Sequence, residues 1–170
     1  VVQTTAPGNV NAWATYDAMG RVLTSTDAAG NVSNIAYDNW GRVDSATEPG
    51  GAVSSIDYDL EGNIVSSTDP LGRTGSRILD DLGRTTSATN AKNETTSYAY
   101  NSVGYVTSIT NGRGFARSYS YTDRGQVANL TLADGTVESW AYNGNGETTA
   151  YVNPLGQTTN YLFDNAGQMT

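Results

Sequence analysis

The chain has 170 residues, a net charge of −8, 37% hydrophobic residues, and neither cysteine nor histidine. The acidic balance argues against nucleic acid, which recruits clustered Lys and Arg. Lacking His and Cys, the chain cannot build a Ser-His-Asp or Cys-His nucleophile, a usual zinc site or a disulfide, and no apolar run is long enough for a membrane span.

In chain order, Val1 opens the chain and Ala6-Pro7-Gly8-Asn9 supplies the first turn signal. Tyr16-Asp17-Ala18-Met19-Gly20-Arg21 follows, and nearly the same words return every 21 residues. Stepping by that period from Gly20 gives Gly41, Gly62, Gly83, Gly104, Gly125, Gly146 and Gly167. A second column runs Gly30, Gly51, Gly72, Asn93, Gly114, Gly135 and Gly156. An aromatic column runs Tyr16, Tyr37, Tyr58, then Leu79, Tyr100, Tyr121, Tyr142 and Phe163. Fixed-period self-similarity of this kind marks a repeat architecture and takes precedence over local readings.

Each column has a physical meaning. Asp17, Asp38, Asp59, Asp80, Asn101, Asn143 and Asp164 stand three residues before a first-column glycine. Asp27, Glu48, Asp69, Asn90, Asn111 and Asn153 do the same in the second column, with Pro49, Pro70 and Pro154 directly after. Asp or Asn opening a type I turn, followed by a residue with left-handed backbone, predicts a tight turn at every such place. Asn93 fits, since Asn is the next most tolerant residue of that conformation. Between the turns lie segments such as 21–26 and 31–37, rich in Val, Ile, Thr and Tyr, with partial alternation at Ile35/Tyr37 and Trp140/Tyr142. These predict strands.

The fold class is therefore all-β: 21-residue β-hairpin repeats in a continuous antiparallel ribbon of about sixteen strands, with no helix. Residues 1–170 read as a single array of about eight repeats and as a segment of a larger protein, because both ends fall inside a repeat. At ~4.8 Å per strand the ribbon would be on the order of 75 Å long and ~20 Å wide. A ribbon so thin cannot bury a face alone, so it is expected to coil into a shell, tube or solenoid-like wall, or to pack on another chain.

The pattern Tyr-Asp-x-x-Gly-Arg-Val/Ile followed by Thr-Asp-x-x-Gly resembles the YD repeats of RHS proteins, from Val1 to Thr170. Similar repeats occur in bacterial Rhs toxins, the BC component of Tc toxins, wall-associated proteins and teneurins. The resemblance implies β-hairpins spiralling into a hollow casing, which in the toxins encloses an effector carried at the C-terminal end. It also implies a secreted or cell-surface protein. The arginine column departs from the pattern: Arg21, Arg42 and Arg84 give way to Tyr105, Gln126, Glu147 and Gln168. Asp69-Pro70-Leu71-Gly72 resembles part of the self-cleaving aspartyl motif of Rhs toxins, but it shares the turn register of Glu48-Pro49 and Asn153-Pro154 and reads as a turn.

No catalytic, metal or cofactor-binding residue is expected, since the carboxylates recur once per turn with no pair set apart. Calcium ladders of β-rolls run at a period of nine, against 21 here, so the array is expected to fold without metal. Expected partners are further repeats of the same protein or identical chains by edge pairing, an enclosed effector, or surface glycans stacked on exposed aromatic rings. The leading functional reading is a non-enzymatic segment of an RHS-type shell that encloses or presents an effector. The alternative is an extracellular fibre or adhesive stalk.

Overall fold

The computed structural model describes residues 2–6, 10–164 and 166–170, and every regular element among them is a strand. In order these are β1 (Val2–Ala6), β2 (Val10–Tyr16), β3 (Val22–Thr26), β4 (Val32–Tyr37), β5 (Val43–Thr47), β6 (Val53–Tyr58), β7 (Ile64–Thr68) and β8 (Thr74–Leu79). They continue with β9 (Thr85–Thr89), β10 (Thr95–Tyr100), β11 (Val106–Thr110), β12 (Ala116–Tyr121), β13 (Val127–Thr131), β14 (Val137–Tyr142), β15 (Thr148–Val152) and β16 (Thr158–Asn160). The early turn at Pro7–Asn9 lies outside the described residues.

The chain divides into two units, residues 1–84 with 89–93, and residues 85–88 with 94–170. In the first, β1 to β8 pair antiparallel in chain order. In the second, β10 to β16 do the same. Each unit is a hairpin meander, as the repeat requires: tight turns leave a strand nowhere to go but beside its predecessor.

The strands start one residue later than the sequence suggests, at Val22 and Val32 rather than at Arg21 and Asn31. The turn takes those residues. Asp17 N–H donates to Arg21 O at 2.9 Å, and Gly20 N–H donates to Asp17 O at 3.1 Å. This is a type I turn closed by a left-handed residue, the three-residue hairpin loop with a bulge at its glycine. The 14 column glycines have φ between 75° and 93°, and Asn93 has φ 61°. Where the opening Asp or Asn is missing, the loop persists: Leu132 N–H still donates to Thr136 O at 2.8 Å. Backbone pattern and glycine, more than the acidic side chain, therefore set the turn.

The two kinds of hairpin differ. Those closed by a first-column turn carry a further irregularity, in which Thr15 pairs with Thr24 but Tyr16 pairs with Val22, leaving Leu23 unpaired. The same shift recurs in β4–β5, β6–β7, β10–β11, β12–β13 and β14–β15. The alternating hairpins, such as β3–β4 and β13–β14, pair without interruption. One bulge per repeat bends the strand and raises its local twist in step with the period.

The register also sorts side chains onto two faces, because directly opposed residues share a side. In the second unit one face carries Tyr98 opposite Ile109, Tyr119 opposite Leu130, and Trp140 opposite Tyr151. The other carries Ala99 opposite Ser108, Ser120 opposite Asn129, and Ala141 opposite Ala150. The first unit follows the same plan with smaller residues: Ile35 opposite Ala46 and Ile56 opposite Ser67, against Asn34 opposite Thr47 and Ser55 opposite Thr68. Among the described residues no hydrophobic side chain is buried, and Thr26 at 8% exposure is the one buried residue. A single layer has formed, with its apolar face half-open.

Candidate functional site

The recurring unit of structure is the junction between one first-column turn and the next repeat. Its first part is the Asp side chain. Asp17 Oδ1 accepts from the backbone N–H of Met19 and of Arg21, both at 2.9 Å, and Oδ2 accepts from Arg21 Nε at 2.6 Å. Asp38 with Arg42 and Asp80 with Arg84 repeat the arrangement, and Asp59 binds Asn63 in the same way. The Asp69-Pro70-Leu71-Gly72 turn is no exception: Asp69 accepts from Leu71 N–H, Arg73 N–H and Arg73 Nε. Its carboxylate has the same occupations as the others.

These bonds favour the charged carboxylate. The Arg73 and Arg84 side chains, helped by their own backbone N–H groups, hold Asp69 and Asp80 below the usual carboxylate range. The Asn63 amide does the same for Asp59, and the Arg21 backbone N–H leads for Asp17. Groups whose pKa is lower folded than unfolded add stability above the unfolded value, near 4, and that stability is lost as pH falls through the lowered folded value. Thermal melts are thus expected to be flat from neutral pH down to about pH 5 and to fall steeply below about pH 4. These carboxylates lie at the surface and are partly exposed, so the effect on stability is a sum of small contributions. A melting temperature unchanged at pH 2.5 would refute it.

The second part is the tyrosine hydroxyl. Tyr37 OH donates to Val22 O at 2.9 Å, Tyr58 OH to Val43 O at 3.0 Å, and Tyr100 OH to Thr85 O at 2.7 Å. Tyr121 and Tyr142 bind Val106 O and Val127 O at 2.6 and 2.8 Å. Val22, Val43, Val106 and Val127 each stand just before a bulge, on the strand 15 residues back. A bulge withdraws this carbonyl from the regular ladder, and the tyrosine of the next strand satisfies it. At Leu79 no hydroxyl exists, and Arg77 Nε, two residues earlier on the same face, donates to Ile64 O instead. Tyr121→Phe is expected to lose about 1 kcal/mol, seen as faster hydrogen exchange in β11–β12. An unchanged exchange rate would remove the hydroxyl from the account.

The third part is the residue after the glycine, which reaches forward into the next repeat. The Arg21 guanidinium lies 4.4 Å from the Tyr37 ring centroid, and that of Arg42 lies 4.1 Å from Tyr58. Arg21 Nη1 is buried without a hydrogen-bond partner, so its stabilisation comes from the ring face. Tyr105 replaces the cation by stacking on Tyr121, with centroids 4.9 Å apart. Gln126 Nε2 donates to Gly146 O at 2.8 Å. The same side chains press on the next glycine. A Cβ at Gly41 would meet Arg21 Nη1 at 2.6 Å, and one at Gly125 would meet Tyr105 Cζ at 2.6 Å. In the second column Gly30, Gly51, Gly72, Gly114, Gly135 and Gly156 have nothing within 4 Å.

These contacts show what the sequence reading missed. The arginine column departs from its pattern in sequence, yet Tyr105 and Gln126 keep the forward reach by other chemistry. The signal was the constant spacing of 16 residues from Arg21 to Tyr37 and from Arg42 to Tyr58. The aromatic column in the sequence gives no sign of the hydroxyl's partner. Of the tryptophans, Trp40 is 72% exposed at a turn tip, beside Met19, Leu60 and Leu82 at 82%, 89% and 75%. Among the described residues no three His, Cys, Asp or Glu side chains gather as a metal site would need, and none of the strands is a membrane-spanning helix.

The RHS Repeat family model matches residues 16–53 and 80–116. No curated protein matches the sequence. Solved structures do. The Photorhabdus luminescens Tc holotoxin pore with the TccC3-D651A mutation is similar at 20% identity and a TM-score of 0.60, over 95% of this chain and 10% of that one. TcdB2-TccC3-TEV is similar at 15% identity and 0.56, over 99% of this chain and 12% of that one. TcdB2-TccC3 without its hypervariable C-terminal region is similar at 15% identity and 0.55. The likeness at such identities is one of fold, and this chain spans about a tenth of the length of those it matches. The matched segments cover several of the turn, bulge and tyrosine junctions described above, and the same junction recurs outside them at Tyr58, Tyr121 and Tyr142. Residues 16–53 and 80–116 of this chain are RHS repeats.

Proposed function

We propose that residues 1–170 act as one structural array, a stretch of wall in a secreted or surface-displayed RHS shell that encloses or presents an effector. The carrying observation is the single-layer sheet: one face apolar and half-open, the other Ser, Thr and Ala, and no hydrophobic side chain buried among the described residues. Domains are built from at least two layers, and a lone layer with one apolar face is a component of something larger. The fold likeness to Tc toxin structures, one of them solved without its hypervariable C-terminal region, supports a casing over an isolated domain.

In this reading the glycine and tyrosine columns are structural, and the array performs no chemistry of its own. The turn carboxylates have their oxygens committed to backbone and Arg or Asn partners, which supports that role. The fibre or adhesive alternative draws on the exposed apolar turn tips, Trp40 above all, which suit lateral packing or a sugar ring. Cryo-electron microscopy of the protein that carries this segment decides between them. The shell reading expects these strands in the wall of a closed cavity with the Tyr98–Tyr151 face covered. A solid rod or filament would favour the alternative.

A further inference from the structure

At the C-terminal end of the second unit, Glu138, Trp140, Thr148, Tyr151, Tyr161, Phe163 and Met169 line a hollow of about 540 Å³. Trp140 and Tyr151 stand opposite each other in the β14–β15 register, with ring centroids 5.4 Å apart and planes tilted by 36°. Tyr151 OH donates to Glu138 Oε2 at 3.1 Å, which ties the carboxylate to the rim of the hollow. Among the described residues no Lys or Arg pairs with Glu138. Four aromatic rings around one carboxylate make a setting in which a cation gains both from the ring faces and from the charge.

A second observation points the same way. In the first unit the arginine after two of the turn glycines covers the aromatic residue 16 positions on: Arg21 over Tyr37 and Arg42 over Tyr58. At the corresponding step Glu147 precedes Phe163, so the guanidinium that would cover this ring is replaced by a carboxylate. Glu147 instead accepts from Asn143 Nδ2 at 2.6 Å and lies against Gly167. Here the repeat has lost its own cation and kept the rings.

The geometry points to a binding site for the arginine side chain of a partner polypeptide, its guanidinium stacked among Trp140, Tyr151 and Phe163 and paired with Glu138. Arginine is favoured over lysine because its planar, weakly hydrated group stacks on aromatic faces, as the chain's own arginines do. The net charge of −8 favours approach of a basic segment.

The test uses the full chain, diluted until light scattering reports single chains, with Trp13→Phe and Trp40→Phe leaving Trp140 as the only tryptophan, titrated with acetyl-tetraarginine amide. A saturable change in Trp140 fluorescence is expected, weaker with the tetralysine peptide and weakened by salt. Glu138→Gln should reduce affinity about tenfold, whereas Glu61→Gln, which removes an equal charge at an exposed turn, should not. Glu147→Arg, restoring the internal cation, should abolish binding and provides a second route should Glu138→Gln disturb the sheet. Three results would overturn the site: no saturable change, equal loss with Glu61→Gln, or full binding by Glu147→Arg. A saturable response to cellobiose or lactose with none to tetraarginine would make the hollow a sugar platform and refute the arginine assignment.

Discussion

Gly125→Ala is expected to destabilise the β12–β13 hairpin by about 2–4 kcal/mol, against about 1–2 kcal/mol for Gly135→Ala. Both positions have positive φ, 81° and 85°, so each alanine suffers the same left-handed strain. They differ in surroundings. A methyl at 125 would overlap the Tyr105 side chain, whose ring stacks on Tyr121, while a methyl at 135 meets nothing within 4 Å. Displacing Tyr105 would therefore disturb two repeats, through the turn and through the ring stack. Gly135→Asn should be close to neutral, as Asn93 already occupies its own column with φ 61°. Gly83→Val has no steric neighbour and should cost about 1–2 kcal/mol from backbone strain. Hydrogen exchange at the β12–β13 amides for Gly125→Ala and at the β13–β14 amides for Gly135→Ala, with β4–β5 as an internal reference, reads the difference. Equal effects at 125 and 135 would show that the forward reach of Tyr105 carries no energy.

The isolated 170-residue chain is expected not to behave as a two-state monomer. Hydrophobic burial dominates the favourable side of folding, and here no hydrophobic side chain among the described residues is buried. Half-covered rings such as Trp140, Tyr119 and Tyr151 leave an apolar face that gains by covering itself. The manner of association follows from the hydrogen bonds. The N–H and C=O groups of the turns close on one another, as at Asp17/Arg21 and Asn143/Glu147, so contact along the turn-lined sides would run through side chains. Backbone pairing of the kind expected from sequence is offered by a terminal strand such as β16. Light scattering and electron microscopy should find self-association or frayed terminal repeats. An orderly filament would favour the fibre reading, and a compact monomer with a cooperative melt would remove the basis of both structural readings.

Much of this architecture is legible in the sequence because its causes are local. A turn depends on four or five successive residues, so Asp17 to Arg21 announces itself through the Asx position and through a glycine at positive φ. Strand order follows once the turns are tight, since each strand must pair with its predecessor. The bulge left no such mark. Its unpaired positions hold Leu23, Asp44, Val65, Thr107, Ala128 and Thr149, with no residue type in common. It became visible only with the register, and with it the reason the aromatic column is mostly tyrosine and not phenylalanine.

The junctions between repeats likewise belong to the tertiary structure. Arg21 and Tyr37 are 16 residues apart, and only the return of the chain through β3 and β4 brings guanidinium over ring. That contact separates the two glycine columns, which in sequence differ by little more than Asn93: Gly41, Gly62, Gly125, Gly146 and Gly167 of the first meet a neighbour's side chain, whereas the second is confined by φ alone. The apolar face was half visible as Tyr and Trp alternation along β10, β12 and β14. Its other half, Ile109, Leu130 and Tyr151 on the facing strands, needed cross-strand pairing to place it on the same side. Sequence alone determined turns, period and strand order, because these rest on short-range backbone preferences. Which side chains meet, and which face stays open, is decided by register, and register joins residues that the sequence keeps far apart.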